Sequence, residues 1–216
     1  MAGARTDGRV ERGNQTRRLV LGRTMAIASV EGLEGLSIGR VATELGLSKS
    51  GVFALFGSKE QMQLATIRAA KAVFREHVIR PAERIPPGLG RVRRLCEGFL
   101  AYSRSRVFPG GCFFTVVAAE FGGRGGPVHD AVALARTEWL TYICQVLDEA
   151  RSAGDLRADL DVPQLAFELK ALMETANADS TLHRDDAGYD RAAVAIAARL
   201  RATAAEPPAL ADRVGG

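Results

Sequence analysis

Cysteine is scarce in this chain. Its 216 residues hold three, Cys96, Cys112 and Cys144, with no CxxC pair and no Cys/His ligand spacing. That excludes a disulfide framework and a zinc finger, and points to free thiols in a reducing cytoplasm. Histidine is as rare: His77, His129 and His183 each lack a second His or Cys three or four residues away, so no metal site is expected. No apolar run approaches the roughly 18 residues that span a bilayer. The first 18 residues are polar and basic, without the apolar stretch of a secretory signal. P-loop, dinucleotide-loop and kinase signatures are missing, so neither an enzyme nor a bound cofactor is expected. The chain also lacks strand-like alternation between turn signals, which makes the expected fold class all-α.

Charge is present but uneven. The net charge is +4; residues 1–60 hold nine Lys/Arg and six Asp/Glu, and the rest hold twenty and nineteen. The excess of positive charge lies at the amino end, as contact with a phosphate backbone requires. Residues 1–15 read as a flexible basic arm with Arg5, Arg9 and Arg12, followed by Arg17 and Arg18. Such an arm either reaches DNA or is simply solvated.

The richest stretch runs from Ser37 to Phe56. Ser37 is placed to cap a helix whose apolar face is Ile38, Val41, Ala42 and Leu45. Gly46 is suited to the positive φ that ends it. Ser48 caps a second helix that opens on Lys49, Ser50 and Gly51, with Val52, Leu55 and Phe56 turned inward. Ser58, followed three residues later by Gln61, opens a third. This is helix-turn-helix spacing, and its small, basic second-helix start fits close approach to bases and phosphates. A helical hairpin with purely structural caps would show the same faces, so spacing leaves both readings open.

The uninterrupted order of Gly32-Leu33-Glu34-Gly35-Leu36-Ser37, Val41-Ala42-Thr43-Glu44-Leu45-Gly46-Leu47-Ser48-Lys49-Ser50 and Phe56-Gly57-Ser58-Lys59-Glu60 decides between them. With the helix over 20–30, it resembles the N-terminal domain of the TetR family of bacterial transcriptional regulators. The resemblance implies double-stranded DNA as partner. The implied contact residues are Ser48, Lys49, Ser50, Gly51 and Phe53, with Ser37, Gly39 and Arg40 on the preceding helix and Lys59 at the next helix start. Phe53 stands where the family commonly has Tyr, so a phosphate-bonding hydroxyl is lost, and Ala54 and Leu55 replace polar neighbours.

Beyond Ser58 every long stretch reads as helix. One runs from 59 to about 80 and ends before Pro81; others span 89–106, 112–121, 128–153, 162–182 and 189–203, with a frayed tail over 205–216. The expected organisation is the arm (1–15), a DNA-binding domain (16–75) and a larger helical domain (88–204). The segment 112–121 is apolar nearly all round and belongs inside that domain. Phe99, Tyr102, Phe113, Val117, Glu120, Phe121, Trp139, Tyr142, Ile143, Met173 and Asn177 have the make-up of an apolar pocket wall with a few polar handles. Plain core is the other reading of each. The resemblance implies a ligand-binding domain here and a homodimer built from the last two helices, with Phe167, Lys170, Ala171, Val194, Ala197 and Leu200 at the interface.

The combined expectation is a cytoplasmic, homodimeric repressor, released from an inverted-repeat operator by a small, largely apolar effector. Two alternatives stay open. One is a regulator without an effector; the other is a helical ligand-binding or catalytic protein with a vestigial helix-turn-helix.

Overall fold

Three serine hydroxyls set the first helix boundaries. Ser37, Ser48 and Ser58 each accept a backbone N–H three residues on, from Arg40, Gly51 and Gln61, all at 3.1 Å. They start α2 (Ile38–Glu44), α3 (Lys49–Phe56) and α4 (Lys59–Phe74). Gly46, at φ +64°, lets the chain leave α2 and turn into α3. The computed structural model describes residues 3–205, with side chains from residue 11 onward; the expected tail therefore lies almost wholly outside the described residues.

The preceding helix, α1 (Gly3–Glu31), extends well beyond the expected 20–30. Its backbone is helical through most of the stretch read as a separate arm. No proline interrupts that stretch, so nothing stops the helix from extending outward. Val20, Ile27 and Ala28 of α1 pack with Val41, Val52, Phe56 and Met62 in one core. A buried bond between the Thr66 and Thr24 hydroxyls (2.8 Å) pins α4 to α1.

The linking helix does not stop before Pro81. It passes from α4 into a π-helical turn (Arg75–Ile79) and on to α5 (Arg80–Glu83). Proline offers no N–H and its ring crowds the carbonyl four residues back; the wider π turn relieves both conflicts. The remaining helices are α6 (Leu89–Arg104), α7 (Phe113–Phe121), α8 (Pro127–Ser152), α9 (Val162–His183) and α10 (Ala187–Thr203). Helix α8 packs on α4, α6, α7 and α9, while α9 and α10 lie along each other. Among the described residues there is no strand, only an isolated bridge between Leu156 and Ala204. No described helix is long and apolar enough to cross a membrane.

The larger helical unit meets the smaller at α7, which packs on α1. The loop before α7 presses on the end of α1: the Gly110 N–H donates to Ser29 Oγ (3.2 Å), and a Cβ at Gly110 would overlap the Ser29 carbonyl oxygen. Gly110→Ala is therefore expected to destabilise the fold by about 1–3 kcal/mol or more. Gly123→Ala, which meets nothing within 4 Å, should stay within about 0.5 kcal/mol of the parent. Chemical denaturation of the two variants checks the difference.

Candidate recognition tip and cavity

Helix α3 buries Val52 and Phe56 and turns Ser48, Lys49, Ser50, Gly51 and Phe53 outward. Phe53 is 54% exposed. The cap uses one lone pair of Ser48 Oγ, and Ser50 Oγ stands 3.4 Å from it. The result is a small, exposed tip with one lysine, at the positive end of a helix. Ser37 is exposed and Gly39 half-buried on α2. Arg17 on α1 reaches the other end of α3. Its Nη1 donates to the Leu55 carbonyl (2.6 Å), and its guanidinium covers the Phe56 ring at 4.5 Å.

Two expected DNA contacts are occupied within the chain. Arg40 donates to Glu31 (2.5 and 2.7 Å), to Glu44 (2.8 Å) and to the Gly35 carbonyl (3.3 Å). Hydrogen bonding to Arg40 lowers the pKa of both Glu31 and Glu44, and Arg23 also binds Glu44. Lys59 donates from Nζ to the Glu34 carbonyl (2.9 Å) and carboxylate (3.0 Å). The Arg40–Glu44 pair has the i,i+4 spacing of one helix and was open to sequence reading; Glu31 and Glu34 lie on the α1 side of the corner and were not. In the chain by itself Arg40 and Lys59 brace the corner beside the tip, with side chains 35% and 42% exposed.

A second feature lies in the larger helical unit. A cavity of about 410 Å³ opens among α4, the π turn, α6, α7, α8 and α9. Phe74, Phe99, Phe114, Trp139 and Tyr142 supply rings; Lys71, Arg75, Arg136, Glu138 and Glu174 supply charge; Ala72, Ile79, Cys112 and Ala135 complete the wall. Phe74 sets its ring edge-on to Trp139 at 4.9 Å, and Phe99 lies nearly parallel to Trp139 at 15°. Lys71 binds Glu138; Arg136 and Lys170 share Glu174 at 2.8 and 3.1 Å.

Of the expected pocket residues, Phe99, Trp139 and Tyr142 line this cavity. Phe113, Val117, Phe121, Ile143 and Met173 are core instead. Residues one apart on a helix point about 100° apart, so Phe114 faces the cavity and Phe113 the interior. Tyr102 is buried outside the wall itself. Asn177 accepts the Cys112 N–H (2.9 Å) and the Tyr189 hydroxyl (3.3 Å). Glu120 lies at the far end of α7, where it accepts the N–H groups of Leu33 (2.6 Å) and Glu34 (2.8 Å). The wall residues missed by sequence reasoning include Lys71, Arg75 and Ile79, spaced by four along the linking helix. That stripe was the available signal, but its charges hid it from an apolar search.

The expected dimer residues divide. Phe167 (60% exposed) and Val194 (70%) face outward, with Ala171 exposed and Ala197 half-buried. Leu200 is buried within the chain and is unavailable, and Lys170 is engaged by Glu174. Leu200 is covered where α9 and α10 pack along each other, and Lys170 is held by Glu174 one turn on in α9.

Residues 20–66 match the family model described as bacterial regulatory proteins of the tetR family, and residues 88–196 match a tetracyclin repressor-like C-terminal domain. The chain belongs to the TetR family. It is a transcriptional regulator and not an enzyme. Gly35-Leu36-Ser37-Ile38-Gly39 has the letters of a nucleophile elbow, but Ser37 follows no strand and its hydroxyl caps α2. A TetR regulator from Chloroflexus aurantiacus shares the fold with TM-score 0.83 and 23% identity, over 90% of this chain and 98% of that one. A transcriptional regulator from Saccharomonospora viridis in complex with choline has TM-score 0.76 and 20% identity, over 90% and 100%. AibR in complex with isovaleryl coenzyme A and operator DNA has TM-score 0.61 and 17% identity, over 74% and 85%. No curated protein matches the chain. Residues 67–87, which carry the linking-helix part of the cavity wall, fall between the two matched stretches of this TetR regulator.

Burial raises all three cysteine thiols, Cys96 to about 12. Cys96 and Cys112 are buried and Cys144 is partly exposed. A disulfide reagent at pH 8 is expected to titrate Cys144 first in the native TetR regulator, with Cys96 and Cys112 reacting only after unfolding. Three equally fast thiols would contradict this burial.

Proposed function

We propose that this regulator is a homodimeric repressor of the cytoplasm that grips an inverted-repeat operator and lets go when a small, largely apolar molecule enters the cavity. One observation carries the reading: the cavity and the tip share a helix. Phe74 and Lys71 of α4 form cavity wall, while Lys59 starts the same helix beside the tip. A ligand that favours a different position of α4 would change how the tip is presented.

Two copies are needed for such a mechanism. Successive major grooves lie about 34–36 Å apart, so a dimer must fix that spacing. The outward faces of α9 and α10, with Phe167, Ala171, Val194 and Ala197, are the surfaces proposed to join. Helix α7 supplies a second connection, because Phe114 meets the cavity and Glu120 holds the corner after α1.

At the tip, Ser48, Lys49, Ser50 and Gly51 are the proposed contact set, with Phe53 against a thymine methyl or a sugar. Ser37 and Gly39 flank it. A mobility-shift titration against the DNA upstream of the protein's own reading frame tests the function. Lys49→Ala should weaken binding, reduce the salt slope by about 1, and leave the oligomeric state unchanged. Equal affinity and equal slope in the variant would contradict the groove assignment.

The corner is testable without any ligand. In Glu120→Ala, the Leu33 and Glu34 amides should lose their acceptor and exchange at least tenfold faster in hydrogen-exchange measurements. Unaltered protection would show that Glu120 does not hold the corner in solution.

A further inference from the structure

The cavity discriminates between kinds of small molecule, because its wall holds a buried donor with no partner. We infer that its ligand is an apolar, flat-bodied molecule bearing one acceptor head, a carboxylate or a carbonyl, and not an organic cation; this rests on reading the cavity as the effector site.

The body of the ligand follows from the rings. Phe74, Phe99, Phe114, Trp139 and Tyr142 form the wall, and Phe99, Trp139 and Tyr142 run nearly parallel (15° and 23°). A thin hydrophobic skeleton fits beside such faces. Rings alone would also suit a cation through their π-faces, so the polar groups must decide.

Those groups are donors. Trp139 Nε1 is buried with no hydrogen-bond partner, and an indole nitrogen can only donate. Behind the wall, the Tyr102 hydroxyl, on a side chain 3% exposed, also has an unused proton. It lies beside Cys112 and the Phe113 N–H at the start of α7. That start has no side-chain cap; the Thr115 N–H turns back to the Cys112 carbonyl (3.1 Å), and the Phe114 N–H faces the Cys112 thiol, a weak acceptor on the cavity wall. Unpaired buried donors are costly, and an electron-rich head would satisfy them. The positive end of α7 favours a negative one.

Charge on the wall agrees. Lys71 binds Glu138, Arg75 binds Glu83 (2.9 Å), and Arg136 and Lys170 share Glu174. A cationic ligand would find no free carboxylate on the wall.

Three ten-carbon probes separate the possibilities: 4-phenylbutyrate, 4-phenyl-2-butanone and 4-phenylbutylammonium. Calorimetric titration into the full-length protein gives affinities, and emission from Trp139, the single tryptophan, reports occupancy of the cavity. The acid or the ketone is expected to bind at least tenfold more tightly than the ammonium compound, and their order tells carboxylate from carbonyl. Trp139→Phe, followed by calorimetry, keeps an aromatic face in the wall and removes the unpartnered N–H. It should weaken the preferred probe about tenfold while leaving the ammonium compound unchanged. Ammonium binding as tight as the acid and the ketone would overturn the inference, as would an indifferent Trp139→Phe variant. Binding by none of the three, with Trp139 emission unmoved, would overturn the effector-site reading itself and the inference with it.

Discussion

The carboxylate of Glu120 joins the two halves of this molecule. It stands at the end of α7 and accepts two consecutive amides, of Leu33 and Glu34, in the corner that follows α1. Gly32 leaves the room for it: at φ +79°, any Cβ there would run into the Glu120 carboxyl. The same corner positions Glu34, whose side chain binds Lys59 and is met by Gln63 and Arg124. These contacts hold that carboxyl below the usual range, with the Lys59 bond the largest cause. The start of α4, the corner and the far end of α7 thus form one connected cluster beside the recognition tip.

The other end of α7 reaches the cavity. Phe114 sits about 1.7 turns before Glu120 on a nine-residue helix, so the cavity wall and the corner are fixed to one short rigid element. Phe74 does the equivalent work on α4, touching Phe99, Phe114, Tyr102 and Trp139. These edge-on ring contacts tie α4 to α6, α7 and α8 around the cavity. The π turn beyond Phe74 gives the linking helix a place where its hydrogen-bond register changes.

Much of this was legible in the sequence, for physical reasons that differ by element. Ser37, Ser48 and Ser58 were readable as caps because capping is local: three residues and one hydroxyl decide it. The helix-turn-helix and the family followed from the same short-range grammar. The role of Lys59 was not legible, since it is set by Glu34 across the corner, whereas part of Arg40's role, its pairing with Glu44 one turn on, was local. Pro81 misled for the opposite reason, because its local preference was overridden by a π turn. In the cavity, hydrophobic pattern found Phe99, Trp139 and Tyr142 but not Lys71, Arg75 or Arg136, whose charges are neutralised by partners on other helices. Glu120 was picked out as a polar handle and turned out to serve the corner, a distinction that depends on which end of α7 faces α1.

The most direct test of the coupling between cavity and tip needs no effector. Emission from Trp139, inside the larger helical unit, should be recorded while the full-length protein is titrated with duplex DNA from its own upstream region. Coupling through α4 and α7 predicts a saturable change in intensity or wavelength with the same midpoint as DNA binding, diminished in Glu120→Ala. Emission that stays constant while DNA binds would contradict the account, because the tip would then be occupied without the cavity responding.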